Sequence, residues 1–407
     1  MLISIFTPTH NPKWLGRASA SLAAQNPHVD FEWIVLLNNG AKLSEPLIPQ
    51  ARVFEAPPGM KNIGALKAEC TRHARGEVLV ELDHDDELTP DALAEVYEAF
   101  VRGDVDFAYS NCCEINADET PKVFGEAYGW VNKPFQWNGK EQRESVAFPP
   151  CPASFSRIWY GPNHLRAWCT DFYRLIGGHD PALPRLDDQD LFIRSYITGR
   201  ILHIDKCLYV QHDHAENSYK GEMNKWIQEK TVELHDKYLP GLVGRWCDLN
   251  RLRKIDLCCG TRPEPGYEGV DKRLGPLRFD LDERWPFEDE SVGVFRAHDA
   301  IEHLRDPIHT MKEAHRCLAP NGWFLILVPS TEGRGAFQDP THVSFWNSNS
   351  FWYYTRCTQA QMVGLSPLFQ LTRVVNFYPT PFHATHKILY VRAHLLKAEG
   401  RVPGLIE

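Results

Sequence analysis

The stretch from Val78 to Leu93, VLVELDHDDELTPDAL, places Asp83, Asp85, Asp86 and Glu87 around His84 directly after an apolar run. Carboxylates this close resist joint ionisation. One outlet is a helix start: Thr89 is a good N-cap, Pro90 suits a first turn, and acids favour the positive end of a helix dipole. That accounts for Thr89-Pro90-Asp91 but not for Asp83, which crowds Asp85 and Asp86 at a strand end. The other outlet is a hard divalent cation, Mg²⁺ or Mn²⁺, bridging carboxylates to phosphate oxygens. A second acidic group, LDDQD at 186–190, and a histidine pair, HDH at 212–214, lie farther along. A third chemical signal is IDLCCGTRPEPGYEGVD at 255–271. It reads as a strand, a glycine turn and an acid at the end of the next strand, the arrangement by which Rossmann-like folds hold adenosine.

These groups need elements to position them. LISIF (2–6), FEWIVLLN (31–38), Val53-Phe54 and Glu77–Leu82 read as strands, separated by helical spacing over WLGRASASLAAQ and Ile63–Arg75. Strands alternating with helices imply a parallel sheet, whose ligands bind beyond the carboxyl ends of the strands. Residues 104–220 are less regular, with helix signals near Trp168–Leu175 and Asp188–Thr198. A helix over Glu222–Tyr238, stopped by Pro240-Gly241, leads into a second series: RKIDLCCG, GYEGVD, VGVFRAHDA and GWFLILVPS as strands, with a helix at Pro307–Cys317. With 407 residues, two α/β domains are the economical division.

The totals exclude other classes. Hydrophobic residues at 43% and charged residues at 24% are ordinary globular values. A net charge of -9 argues against a chain-wide basic surface for nucleic acid. The start, MLISIFTPTHNPKW, lacks the features of a signal peptide. No apolar run approaches the roughly 18 residues of a membrane span. Eleven cysteines without a CxxC pattern signal neither a zinc cage nor a disulfide framework. The expectation is a cytoplasmic protein with reduced thiols and no membrane span, able to lie peripheral to a membrane that carries a lipid-linked acceptor.

Over the first 220 residues the chain resembles family 2 glycosyltransferases of the GT-A fold. The resemblance rests on ISIFTPTHN, SLAAQ with DFEWIVLLNNG, NIGALKAEC, ARGEVLVELDHDDELTPDAL, LIGGHDPALPRLDDQDLFIRSYITG and LYVQHDHAENS, in that order. It implies a nucleotide-sugar donor, a glycan or glycoconjugate acceptor and a Mn²⁺ or Mg²⁺ ion. Asp83 and Asp85 match the pair that meets ribose and metal, with Asp86 beside them. Pro8 and Thr9 would lie under the nucleotide, Asn38 and Asn39 would face the base, and Lys67 could face the diphosphate or be a solvated helix charge. Asp188 matches the general base that deprotonates the acceptor hydroxyl, with Asp187 and Asp190 as alternatives and Asp190 favoured as a helix cap. His214 matches a histidine that can complete the metal or diphosphate site, His212 being the weaker choice. Trp159, Tyr160 and Trp168 could stack on acceptor sugar or fill the core.

From about 250 to 395 the chain resembles class I S-adenosylmethionine-dependent methyltransferases. The carrying segments are FDLDERWPFEDESVGVFRAHDAIEHLRDP, HTMKEAHRCLAPNGWFLILVPS and AFQDPTHVSFWNSNSFWYYT. By that resemblance Asp256 and Gly260 shape the methionine side, Asp271 holds the ribose, Asp280 faces the adenine amine, and His298 with Asp299 lines the cofactor. Glu302 and His303 are equally well read as structural. Asp339, Thr341 and His342 would form an acceptor loop, His342 deprotonating a hydroxyl. Cys258 stands where the family has glycine, and Gly293 where it has aspartate.

The resulting expectation is an α/β chain with a GT-A domain over 1–220, a linking helix over 221–249 and a Rossmann-like methyltransferase domain over 250–407. Its function would be inverting, metal-dependent glycosyl transfer joined to S-adenosylmethionine-dependent O-methylation of a glycan. The alternatives are a hydroxymethylated DNA base as acceptor, and a methyltransferase-like domain without catalysis.

Overall fold

The computed structural model describes residues 1–157, 160–215 and 222–399. Its contacts divide the chain into two units, Met1–Leu242 and Val243–Glu407.

The first unit opens with β1 (Ile3–Thr9), α1 (Leu15–Ala23), β2 (Phe31–Leu37), β3 (Ala51–Glu55), α2 (Ile63–Arg72) and β4 (Val78–Glu81). These strands lie parallel in the order β3-β2-β1-β4. Successive side chains of a strand point to opposite faces, and both faces are covered. Ile3, Ile5, Trp33 and Val35 pack with Leu15 and Leu22 of α1 and with Leu93 and Val96 of α3 (Ala92–Phe100). Phe6, Ile34 and Leu36 pack with Leu66 of α2 and Phe192 of α5 (Asp187–Thr198). Burial on both sides is why these strands read as continuous apolar runs rather than alternating ones.

The segment that reads as irregular in sequence holds most of the remaining sheet. It contains β5 (Glu87–Leu88), β6 (Phe107–Ile115), β7 (Pro121–Lys122), the hairpin β8 (Val131–Trp137) and β9 (Lys140–Val146), then β10 (Arg166–Cys169), α4 (Thr170–Leu175) and β11 (Ile201–His212). Past β4 the order continues β10-β6-β11-β5, with β10 antiparallel to both of its neighbours. The expected all-parallel sheet is therefore mixed. Trp168, expected in a helix, lies in β10, and the helix begins only at Thr170. At the other end of the acidic stretch α3 begins at Ala92, and Thr89 makes no side-chain cap. Its hydroxyl donates instead to the Asp91 carboxylate at 2.8 Å.

Helix α6 runs Glu222–Asn250, straight through the Pro240-Gly241 pair expected to stop it. Proline inside a helix removes a hydrogen bond. Here Leu239, Leu242, Val243 and Cys247 are all fully buried, and that burial outweighs the local breaker. The boundary between the units falls within this helix.

The second unit has β12 (Arg253–Leu257), β13 (Glu268–Val270), β14 (Val292–His298), α7 (Pro307–Cys317), β15 (Leu318–Pro329), α8 (Gly335–Gln338), β16 (Gln370–Phe377) and β17 (Tyr390–Leu396). The sheet order is β13-β12-β14-β15-β17-β16, parallel as far as β15 and antiparallel beyond it. Asp306 caps α7 by accepting from the backbone N–H groups of Ile308 and His309. Gly293 has a local reason: a Cβ there would lie 2.5 Å from Cys247 Sγ and 2.9 Å from Leu252 Cβ, so only glycine lets β14 approach this closely. All eleven cysteines are free thiols. Among the described residues, no helix is long and apolar enough to cross a membrane.

Gly293→Ala is expected to destabilise the C-terminal unit by about 1–3 kcal/mol through overpacking. Adding Cys247→Ala should recover part of the loss, which urea unfolding of the single and double variants will read.

Candidate active site

The carboxyl ends of β1, β2 and β4 open onto a cavity of about 620 Å³. Pro8, Asn38, Asn39, Lys67, Asp83, Asp85, Asp188 and His214 all line it, so residues spread over the chain from 8 to 214 meet at one cavity. Thr9 does not. It is buried, its hydroxyl accepts from the Asn11 N–H at 3.1 Å, and it shapes the turn after β1 rather than the cavity wall. Asp85 Oδ2 lies 2.8 Å from His214 Nε2, and the His214 ring stacks on Trp14 at 4.7 Å. Asp86 is structural, accepting from the Tyr209 hydroxyl and the His212 N–H, both at 2.9 Å. His212 pairs with Glu87 at 2.8 Å, away from the metal role. Removal from bulk water, then the Glu81 and Asp85 carboxylates, push Asp83 up to about 7, although 39% of its side chain stays open.

Beneath this rim lies a buried ion network. Lys67 is 6% exposed and pairs with Glu81, and its Nζ lies 3.5 Å from Asp187 Oδ2. It therefore neither faces a diphosphate freely nor sits as a solvated helix charge. Arg166 spans Glu81 at 3.6 Å and Asp188 at 3.4 Å. Burial works against the Glu81 charge, yet Lys67 and then Arg166 hold its carboxyl well below the usual range. Burial, joined by Asp188 and Glu81 and opposed by Lys67, pushes Asp187 up to about 6.

Asp188 sits in the first turn of α5 with its Oδ1 accepting from the Gln189 N–H, and 20% of its side chain is exposed. The chain enters that turn through Leu186 in the left-handed region, φ 62°. Asp190 is not the cap. It pairs with Arg194 at 2.6 Å and accepts from the Tyr238 hydroxyl.

The acceptor-stacking aromatics are core residues. Trp168 is fully buried, stacked on Phe107, with its indole N–H on Ser195 Oγ, and Tyr160 is buried against Phe148. Trp159 lies outside the described residues.

In the second unit the turn after β12 is left-handed at Cys258 (φ 53°) and at Gly260 (φ 56°). Cys258 thus adopts the conformation that glycine would take there. Burial works against the Asp271 charge, but the backbone N–H groups of Arg273, Leu274 and Gly260 hold it below the usual range. Glycine turn and acid are so joined. Asp256 has both oxygens taken, by Arg296 at 2.8 Å and by the Glu264 N–H at 2.8 Å, so it braces the turn without offering a free carboxylate. Asp280 pairs with Lys272, which engages the group expected at the adenine. His298 closes β14, its pKa pushed down to about 3 by burial and by Arg296 and Arg392. His342 directs Nδ1 at the Ala336 carbonyl (2.9 Å) and Nε2 towards Glu302 and Asp339.

The family model "Glycosyl transferase family 2" matches residues 4–157, and the model "Methyltransferase domain" matches residues 251–326. A family 2 glycosyltransferase domain is followed by a methyltransferase domain. Similar curated proteins are a chondroitin synthase of Escherichia coli, 24% identical over 224 residues (53% of this chain, 30% of that protein), and a hyaluronan synthase of Pasteurella multocida, 22% identical over 225 residues (53% and 21%). The chain thus spans less than a third of the length of these relatives. Among solved structures, S. aureus TarS 1-349 is similar at 17% identity and a TM-score of 0.42, covering 62% of this chain and 73% of that one.

Both domains accommodate the groups their families imply. In the glycosyltransferase domain Asp85 and His214 offer a carboxylate and an imidazole at the cavity mouth, and a divalent cation there would relieve the Asp83–Asp85 repulsion. In the methyltransferase domain the left-handed glycine turn and Asp271 suit an adenosyl group. Sequence reasoning missed Trp14, Glu81 and Arg166. Glu81 had a signal, because a lone acid closing the apolar run VLVE, on a strand buried on both faces, needs a buried cation.

Glu81→Ala would leave Lys67 and Arg166 without their shared counter-charge, and we expect a loss of about 3–5 kcal/mol in urea unfolding of the glycosyltransferase domain. A second expectation concerns pH. His179 is fully buried, accepts from the Tyr173 hydroxyl at 2.8 Å, and burial pushes its pKa down to about 3. The unfolded chain therefore binds one more proton here between pH 6.5 and about 3. The stability from keeping His179 neutral is complete above 6.5 and falls as pH drops through that window. Unfolding free energies measured from pH 7 to 4 should fall more steeply in the wild type than in His179→Gln, by at most ~1.4 kcal/mol per pH unit.

Proposed function

We propose that the chain is an inverting, metal-dependent glycosyltransferase that uses a nucleotide-sugar donor, and that its methyltransferase domain O-methylates the same glycan or glycoconjugate. The observation that carries this reading is the meeting of Asp83, Asp85, Asp188 and His214 around one cavity at the carboxyl edge of the sheet. The glycan-synthesising relatives support it.

In this mechanism Asp85 and His214 would hold Mn²⁺ or Mg²⁺, which when bound would supply positive charge against the departing nucleoside diphosphate. Asp83 binds the donor's ribose, Pro8 lies under the nucleotide, and Asn38 and Asn39 meet the base. Asp188 accepts the proton of the acceptor hydroxyl as its oxygen attacks the anomeric carbon on the side opposite the leaving group, which inverts that centre. Arg166, 3.4 Å from Asp188, holds the base in its orientation. In the second domain Gly260, Asp271 and His298 would hold S-adenosylmethionine, which when bound would supply the methyl group. Joining the domains raises the concentration of one site's product at the other, so the product is a glycan both extended and methylated.

A screen of UDP-, GDP-, CMP- and dTDP-sugars with Mn²⁺ or Mg²⁺ should find one donor that is bound and transferred; binding of none would remove the reading. Asp188→Asn should lower transfer by at least the ~10²–10⁴-fold typical of a lost general base while sparing donor affinity. Asp85→Ala should instead abolish the metal dependence of donor binding in calorimetry. Full transfer by Asp188→Asn would move the base to another group.

A further inference from the structure

After β14 the chain passes through Asp299 and Ala300 into a short 3-10 turn, Ile301–His303. After β15 it returns through α8 to Asp339, Thr341 and His342. The two segments are stapled together. The N–H groups of Val343 and Ser344 both donate to the Glu302 carbonyl, at 2.8 and 3.0 Å, and Ser344 Oγ donates to the Ile301 carbonyl at 2.8 Å. This sets the rings of His303 and His342 5.0 Å apart and edge to face. One ligand atom from each of Glu302, His303 and His342 then lies within 4.8 Å of the others.

Three features of this cluster point to an ion. Glu302 is 2% exposed, and neither carboxylate oxygen has a hydrogen-bond partner. A buried carboxylate without donors is a large cost that a cation removes, and among the described residues no lysine or arginine pairs with it. Next, His342 donates Nδ1–H to the Ala336 carbonyl, which leaves the lone pair on Nε2, 3.9 Å from Glu302 and 4.0 Å from Asp339. A backbone carbonyl on the far nitrogen is the usual support of a metal-bound histidine. Finally, His303 is fixed in the same way, with Nδ1 at 3.2 Å from the Thr341 carbonyl and 3.1 Å from its hydroxyl.

We propose that Glu302, His303 and His342 bind a divalent transition-metal ion, with Asp339 closing one side. Two imidazole nitrogens and a carboxylate suit Zn²⁺, Fe²⁺ or Mn²⁺ better than Ca²⁺. The site is built from the segments that follow β14 and β15, beyond the carboxyl ends of these strands, where ligands of such sheets bind. Its role rests on the methyltransferase reading above: it holds the acceptor hydroxyl. The hydroxyl proton passes to water as the oxygen takes the methyl group, and sulfur keeps the electron pair of the broken S–CH₃ bond. Coordination uses the lone pair of His342, which is then a ligand and not the base expected from the sequence.

The test uses the full chain carrying Asp85→Ala, which removes the ligand carboxylate of the first domain. Cobalt(II) is titrated while visible d–d absorption is followed, and bound Zn²⁺ is counted by mass spectrometry after dialysis. The expected result is one ion per chain. Affinity should fall in Asp85→Ala/His342→Ala, and in Asp85→Ala/Glu302→Gln, which keeps the side chain's shape, by at least the ~10–100-fold that losing even an outer partner costs. Thermal melting and S-adenosylmethionine binding of the same proteins serve as folding controls. No bound ion, or equal affinity in all three proteins, overturns the site. Absence of S-adenosylmethionine binding by the wild type, with the ion count intact, overturns the methyltransferase reading alone.

Discussion

The glycosyltransferase domain depends on a single buried arrangement of charge, the Lys67–Glu81–Arg166 network. Lys67 comes from α2, Glu81 from the last position of β4 and Arg166 from the first position of β10. The network reaches α5 through Asp187 and Asp188. Each of these ions has lost its water, a cost repaid only by good mutual geometry. The same constraint that ties the elements together delivers Asp188 to the cavity and gives it a cationic neighbour. Burial works against the Lys67 charge, but Asp187 and then Glu81 hold the ammonium protonated well above its ordinary range. The position of Asp188 and the charge beside it are therefore consequences of one cluster.

Above that neutralised layer the rim stays electrostatically incomplete. Asp83, Asp85 and Asp86 follow β4 within five residues; Asp86 accepts from Tyr209 and His212, and Asp85 meets His214 at 2.8 Å. Carboxylates crowded in this way repel one another, a repulsion that a cation would relieve. The methyltransferase domain repeats the logic at the end of its own sheet. A left-handed turn at Cys258 and Gly260 and a backbone-held Asp271 form one side, and an under-satisfied Glu302 between two oriented imidazoles forms the other. In both domains helices and strands bury the apolar side chains, and the uncompensated charge collects where the strands stop.

Much of the fold was legible. The apolar runs of β1, β2, β4, β12, β14 and β15 are buried on both faces, so they stand out without alternation. Helix α7 matches its expected span, because its capping aspartate and proline are local signals. The segment 104–220 resisted reading because β6 and β11 are stabilised by pairing with residues distant in sequence. The antiparallel insertion of β10 is likewise a property of its neighbours. Pro240 misled for a related reason: a local breaker was outweighed by the burial of residues around it.

The sequence by itself determined the chemistry present at the first site. Acids at 83, 85 and 188 and a histidine at 214 are residue types able to hold a cation or take a proton, and all four line one cavity. Only the tertiary structure decided which of them are free to act. It withdrew Lys67, Asp86, Asp190, Asp256 and Asp280 into ion pairs or backbone bonds, placed Trp168 and Tyr160 in the core, and brought Glu302 against His342 across two loops. The physical reason is that a side chain's function depends on its unspent hydrogen bonds and charge, and partners distant in sequence decide how many remain.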